Sequence, residues 1–153
     1  MVTPQNAAAA SSLTIPAIDP DDDACSAALK YAAASWYVIP IRRGTKHPGS
    51  VLGKGWQKQS TRDRDQIVAL WAGTTHGIAL HCGRSGAVVL DIDNPENLPD
   101  VIRGYAGNPP AQQTRPDTPG RRHLVYLVPP GRRLGNGNGR LGGAWGEVRG
   151  QTA

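Results

Sequence analysis

Ala87-Val88-Val89-Leu90-Asp91-Ile92-Asp93 is an apolar run that ends in two carboxylates at alternate positions. Residues i and i+2 of a strand point to the same face, so Asp91 and Asp93 are expected side by side at its end. Adjacent anions repel unless a cation or a proton separates them, and a divalent metal with oxygen ligands supplies that cation. A strand merely leaving the core produces the same pattern, so the pair alone leaves both readings open.

Upstream, Gly77-Ile78-Ala79-Leu80-His81-Cys82 reads as a strand and Gly83-Arg84-Ser85-Gly86 as a tight turn, which predicts a hairpin with the opening run. Before it, Ser60 with Asp63 resembles an acidic capping box, and Ile67, Leu70 and Trp71 follow at helical spacing toward a stop near Gly73. Further back, Asp21, Asp22 and Asp23 favour the start of an Ala-rich helix over 24–35, which feeds a strand from Trp36 to Ile41. The basic loop Arg42 to Gly49, with Lys46, suits either phosphate contact or a solvated turn. Gly53 to Trp56 continues the irregular stretch, with Trp56 expected to pack over it or stack on a base. Residues 1–20 lack apolar periodicity and are expected to be a flexible leader to a domain over 21–153.

Downstream, Asn94-Pro95-Glu96 can start a short helix, residues 104–111 read as a loop, and Gln113 to Pro116 as a short edge strand. A turn over 117–121 delivers Arg122 to Val128, a strand with His123, Val125 and Leu127 on one face. His123 then stands at a strand entrance beside Arg121 and Arg122, as a structural hydrogen-bonder or a catalytic group. Gly131 to Gly143 has little to bury and is expected to be mobile until a ligand orders it, with Arg132, Arg133 and Arg140 suited to phosphates. Trp145 to Gly150 reads as a strand with Trp145, Glu147 and Arg149 on one face. It ends close to Ala153, which suggests a fragment of something longer.

The 153 residues suit one domain. Charge is uneven: residues 1–39 hold four acids and one base, leaving sixteen of the seventeen bases and eight of the twelve acids to residues 40–153. That surplus attracts a polyanion, nucleic acid foremost, although solubility alone would also account for it. Cys25 and Cys82 form no paired thiolate spacing, and His47, His76, His81 and Cys82 match no zinc-finger spacing, which argues against zinc. With no secretory h-region and no membrane-length apolar run, a soluble cytoplasmic protein is expected.

Taken together, these pieces resemble the N-terminal primase-polymerase domain of plasmid, phage and bacterial replication proteins, a branch of the archaeo-eukaryotic primase superfamily. The resemblance runs from about Ala27 to Gly150. It is carried by Val38-Ile39-Pro40-Ile41, Gly44-Thr45-Lys46-His47-Pro48, Gly77-Ile78-Ala79-Leu80, Val89 to Asp93, Gly120-Arg121-Arg122-His123-Leu124 and Glu147-Val148-Arg149-Gly150, in that order. It implies an α+β fold, a mixed or antiparallel sheet flanked by helices in an RRM-derived catalytic core. It also implies DNA-templated nucleotidyl transfer with two divalent cations, Mg²⁺ or Mn²⁺. Asp91, Asp93 and Glu147 would hold the metals, and His123 would meet the phosphates of the incoming nucleotide. Arg121, Arg122, Arg149 and Lys46 are the further phosphate-binding candidates.

The implied partners are a single-stranded DNA template, ribo- or deoxynucleoside triphosphates and a replicative helicase domain or protein, with no membrane. The family often has Asp where this chain has Glu147, and it usually continues past the Arg-Gly pair into an apolar strand; C-terminal truncation is therefore expected. A metal-dependent nuclease and a non-catalytic nucleic-acid-binding fragment are the alternatives.

Overall fold

A computed structural model describes residues 12–105, 109–115, 117–138 and 144–150. In chain order its elements begin with α1 (Ala24–Ala33), β1 (Val38–Ile41), the single turns α2 (Gly49–Leu52) and α3 (Trp56–Gln59), and α4 (Arg64–Trp71). There follow β2 (Gly77–Leu80), the turn α5 (Cys82–Ser85), β3 (Ala87–Ile92), a 3₁₀ turn over Pro95–Asn97, and α6 (Asp100–Tyr105). The last are β4 (Ala111–Gln113), β5 (Arg122–Leu127), β6 (Gly137–Asn138) and β7 (Gly146–Arg149). The chain is α+β, with two antiparallel sheets: β1–β2, and five strands in the order β4-β5-β3-β7-β6.

Local chemistry explains how the first helices start. Asp23 caps α1 by accepting from the Ser26 amide at 2.7 Å, while Asp22 and Asp19 pair with Lys30 at 2.6 and 2.7 Å. Such a cap is worth about 1 kcal/mol. Within the stretch read as a leader, Thr14 is tied to the fold: its amide donates to Ala34, and its carbonyl accepts from the Trp36 indole at 2.7 Å. Residues 1–11 lie outside the described residues. The expected capping box does not form. Asp63 caps α4 by accepting from the Gln66 amide, and the Ser60 hydroxyl turns instead to the Gln57 carbonyl and to His81.

The predicted hairpin is corrected. β2 pairs with β1, from Val38 opposite Leu80 to Ile41 opposite Gly77, and not with β3. A primed two-residue turn needs positive φ at both central residues, or at the first. In 83–86 Gly86 takes φ 82° and Gly83 does not, and the segment closes into α5 instead, with the Ser85 hydroxyl donating to the His81 carbonyl. That turn carries the chain from one sheet to the other.

β3 is central, with both edges taken, so its first residues Ala87, Val88 and Val89 are buried. A near-continuous apolar run is what a strand covered on both faces requires. Ile92 packs with Leu98, Ile102, Leu124 and Trp145, and Leu90, Tyr126 and Val148 lean on that cluster. Ala28, Val38, Ile67 and Trp71 make a second cluster where α1 and α4 meet the small sheet.

Three further readings are revised. The edge strand is Ala111–Gln113 rather than 113–116, and Pro116 lies outside the described residues. Trp145 does not share a face with Glu147 and Arg149. It is fully buried with Ile92 and Leu124, because Gly146, the first residue of β7, takes φ 147° and breaks the alternation there. β6 also gives β7 a neighbour on its outer edge, where 131–143 was expected to be mobile; residues 139–143 lie outside the described residues.

Candidate active site

Register assembles the site. In the antiparallel pairs of β3, Asp91 stands directly opposite His123 of β5 on one side and Glu147 of β7 on the other. Directly opposed residues share a face of the sheet, with Cβ atoms about 5 Å apart. Three chemistry-bearing side chains, distant in sequence, thus meet on the face opposite the Ile92 cluster.

Asp91 is the centre of this group, with its side chain 11% exposed. His123 Nε2 lies 3.2 Å from Oδ1, and Arg149 donates to Oδ2 through Nε at 3.0 Å and Nη2 at 2.8 Å. Arg149 Nη2 also lies 2.5 Å from Glu147 Oε1, so one guanidinium bridges both carboxylates. The hydrogen bond from His123, with Arg149 behind it, holds the Asp91 carboxyl down at about 2 against the upward push of burial. At neutral pH Asp91 is therefore an anion, a ligand or an acceptor and not a proton donor.

Asp93 lies just past the end of β3, half exposed, and is claimed by a different cation. Arg121 donates to its carbonyl at 2.7 Å and to Oδ1 at 3.0 Å. The Asp93 and Asn94 amides both donate to the Trp145 carbonyl, at 2.9 and 3.0 Å, which ties the end of β3 to the start of β7. The expected carboxylate pair is thus divided between two arginines. Arg122 stands opposite Ile92, on the other pleat from His123, and is exposed. Lys46 is exposed on the loop after β1 and makes no ion pair with a described residue. Arg140 lies outside the described residues.

Among the described residues no three His, Cys, Asp or Glu side chains close into a metal cluster. The chemistry of the set nevertheless fits a hard divalent cation: Asp91 and Glu147 offer carboxylate oxygens opposed on one face, one of them ionised down to about pH 2. Arg149 now supplies the positive charge between them.

A second polar group escaped the sequence reading, which weighed His81 as a zinc ligand alone. His81 is 4% exposed, its Nδ1 is 2.9 Å from the Ser60 hydroxyl, and its ring lies 5.1 Å from that of Trp56, which packs against it. Arg84 donates to the Ser60 carbonyl and hydroxyl and lies over the Tyr37 ring at 4.0 Å, with Arg62 also on that ring at 4.4 Å. No local sequence signal joins residues 37, 60, 62, 81 and 84.

Burial, with Arg84 nearby, holds the His81 imidazole below its ordinary value. As pH falls below about 6.5 the unfolded chain takes up a proton that the folded chain refuses, so stability declines until the folded value is reached. The thermal midpoint should therefore fall between pH 7.5 and 5.5, and His81→Gln should flatten that slope. An unchanged slope in the variant would assign the effect elsewhere.

No helix among the described residues is long and apolar enough to cross a membrane. Neither a curated protein nor a solved structure matches the chain. The family described as bifunctional DNA primase/polymerase, N-terminal, matches residues 28–153, a span that takes in Asp91, His123, Glu147 and all three strands that carry them. That family implies nucleotidyltransferase activity on DNA and nucleotide substrates. With its α+β fold and a match over most of its length, the chain belongs to the bifunctional DNA primase/polymerase N-terminal (Prim-Pol) family.

Proposed function

We propose that this chain carries out DNA-templated nucleotidyl transfer, as primer synthesis, DNA polymerisation or both, in the replication of a plasmid, phage or other mobile element. The observation that carries the proposal is the register of β3, which sets Asp91 opposite both His123 and Glu147. Asp91, Asp93 and Glu147 are the residues that would hold Mg²⁺ or Mn²⁺. When bound, such a metal pair lowers the pKa of the attacking hydroxyl and stabilises charge developing at the α-phosphate and on departing pyrophosphate.

The chain's own residues do the rest. Asp91 stays ionised through the working pH range, and its burial on a strand with two neighbours keeps it in place. His123 offers an N–H at the strand entrance, with Arg121 beside it, and both can turn to a triphosphate. Arg149 presents a planar fork that matches phosphate oxygens as well as carboxylates. The basic surplus of residues 40–153 attracts the template, with an affinity that falls as salt rises.

The test is to incubate the chain with a single-stranded template, labelled nucleotides and Mn²⁺ and to size the products. Labelled strands that grow with time are the expected result. Shortened template would replace the proposal by a metal-dependent nuclease, and template binding without either product by a non-catalytic binding fragment.

A further inference from the structure

The guanidinium of Arg149 stands where positive charge is most needed. It contacts Asp91 Oδ2 through two nitrogens, at 3.0 and 2.8 Å, and reaches Glu147 Oε1 at 2.5 Å with one of them. These are the two carboxylates that register places opposite each other on the site face. Neither can give both oxygens to a divalent cation while the arginine holds them. Arg121 does the same for Asp93, on its carbonyl and Oδ1.

Exposure shows which partner is free to leave. The Asp91 side chain is 11% exposed and that of Arg149 45%, so the carboxylate is fixed by the sheet while the long arginine has open solvent to swing into. Once displaced, the guanidinium lacks an anion. An arriving triphosphate presents it with anionic oxygens that can replace the one it leaves on each carboxylate. The charge count favours an exchange of partners over simple addition. Three carboxylates face two guanidiniums, so adding metal alone crowds cations, and adding triphosphate alone crowds anions.

We infer that Arg149 is a resident counter-cation that competes with the divalent metal for Asp91 and Glu147 and passes to the nucleotide's phosphates when metal binds. This rests on the nucleotidyl-transfer reading above. It makes metal and triphosphate enter together: each removes the partner that the other's binding residue has to give up. An empty site held in this way loads weakly with metal alone, and a nucleotide without metal finds its arginine occupied.

The test measures Mn²⁺ binding to the nucleotide-free chain by electron paramagnetic resonance, with thermal midpoints recorded in the same titration. Arg149→Gln should bind Mn²⁺ about tenfold more tightly than the wild type, a figure discounted for the arginine's exposure. Its metal-free midpoint should be lower, and Mn²⁺ should raise that midpoint more than it raises the wild type's. Arg149→Lys keeps the charge without the fork and should stay closer to wild type. It also serves as the reporter if the glutamine variant does not fold, and must then still bind Mn²⁺ more tightly than wild type. Asp91→Ala should abolish the binding in every background. Equal Mn²⁺ affinity with and without Arg149, still lost on Asp91→Ala, would overturn the exchange while leaving the metal reading of Asp91 intact. Mn²⁺ binding that ignores Asp91 would overturn both.

Discussion

Gly146→Ala should lower the thermal midpoint by about 10 °C or prevent folding altogether. Gly146 opens β7 opposite Ile92 with φ 147°, a conformation that side-chain-bearing residues rarely adopt. A Cβ built there would overlap the Asp91 carbonyl oxygen at 1.9 Å, with the Asp91 carbonyl carbon at 3.0 Å and the Asp93 amide nitrogen at 3.1 Å. All three are backbone atoms of the central strand or its continuation, so none can rotate away. Relief requires β7 to pull back from β3, at a cost of roughly 3 kcal/mol or more. That is a large part of the 5–15 kcal/mol typical of a whole domain. The same retreat carries Glu147 out of register with Asp91, so any folded fraction should also be impaired in nucleotide incorporation. Gly135→Ala is the control, because a Cβ there meets nothing within 4 Å. Calorimetry of both variants decides the matter, and a Gly146→Ala chain that melts like wild type would contradict the close approach.

Local pattern made much of the fold legible. The helix over 24–33 follows from an Ala-rich run after capping aspartates, β3 from a near-continuous apolar run, and β5 from the run Leu124 to Leu127. Pairing was less legible, because it is a long-range choice. Gly83 to Gly86 has the composition of a hairpin turn, yet it closes a helical turn, and β3 takes its partners from residues 122–127 and 146–149. Trp145 was misplaced for a related reason. Alternation predicts its face only if every backbone residue is extended in the ordinary way, and Gly146 is not.

The site was legible as a set of residues and not as a set of contacts. Asp91, His123 and Glu147 were picked out by residue type and by resemblance, and strand register brings them together. Their present partners could not be read from spacing. Arg149, singled out for phosphate, lies on two carboxylates, and Asp93 is held by Arg121 rather than sharing a cation with Asp91. Like charges predict that counter-ions will be found, but which of seventeen basic residues supplies them is settled only by three-dimensional placement.

Asp91 is the residue on which the account turns, and Asp91→Asn isolates its charge. Asparagine keeps the volume at a position 8% exposed and can still accept from Arg149, so the fold should persist. What it removes is the anion that His123 and Arg149 keep ionised down to about pH 2. Without that anion the site loses the central negative charge that the proposed metal pair would need, and the rate should fall by roughly a thousandfold, the scale of removing one main electrostatic stabiliser. Template binding should change little, since the basic surplus that drives it lies across residues 40–153 and is untouched. The decisive measurement is the rate of template-directed incorporation of labelled nucleotide, with Mn²⁺, by the wild type and by Asp91→Asn, at matched template occupancy. The account predicts strand growth by the wild type and a loss of about a thousandfold in the variant; incorporation by Asp91→Asn at the wild-type rate would contradict it.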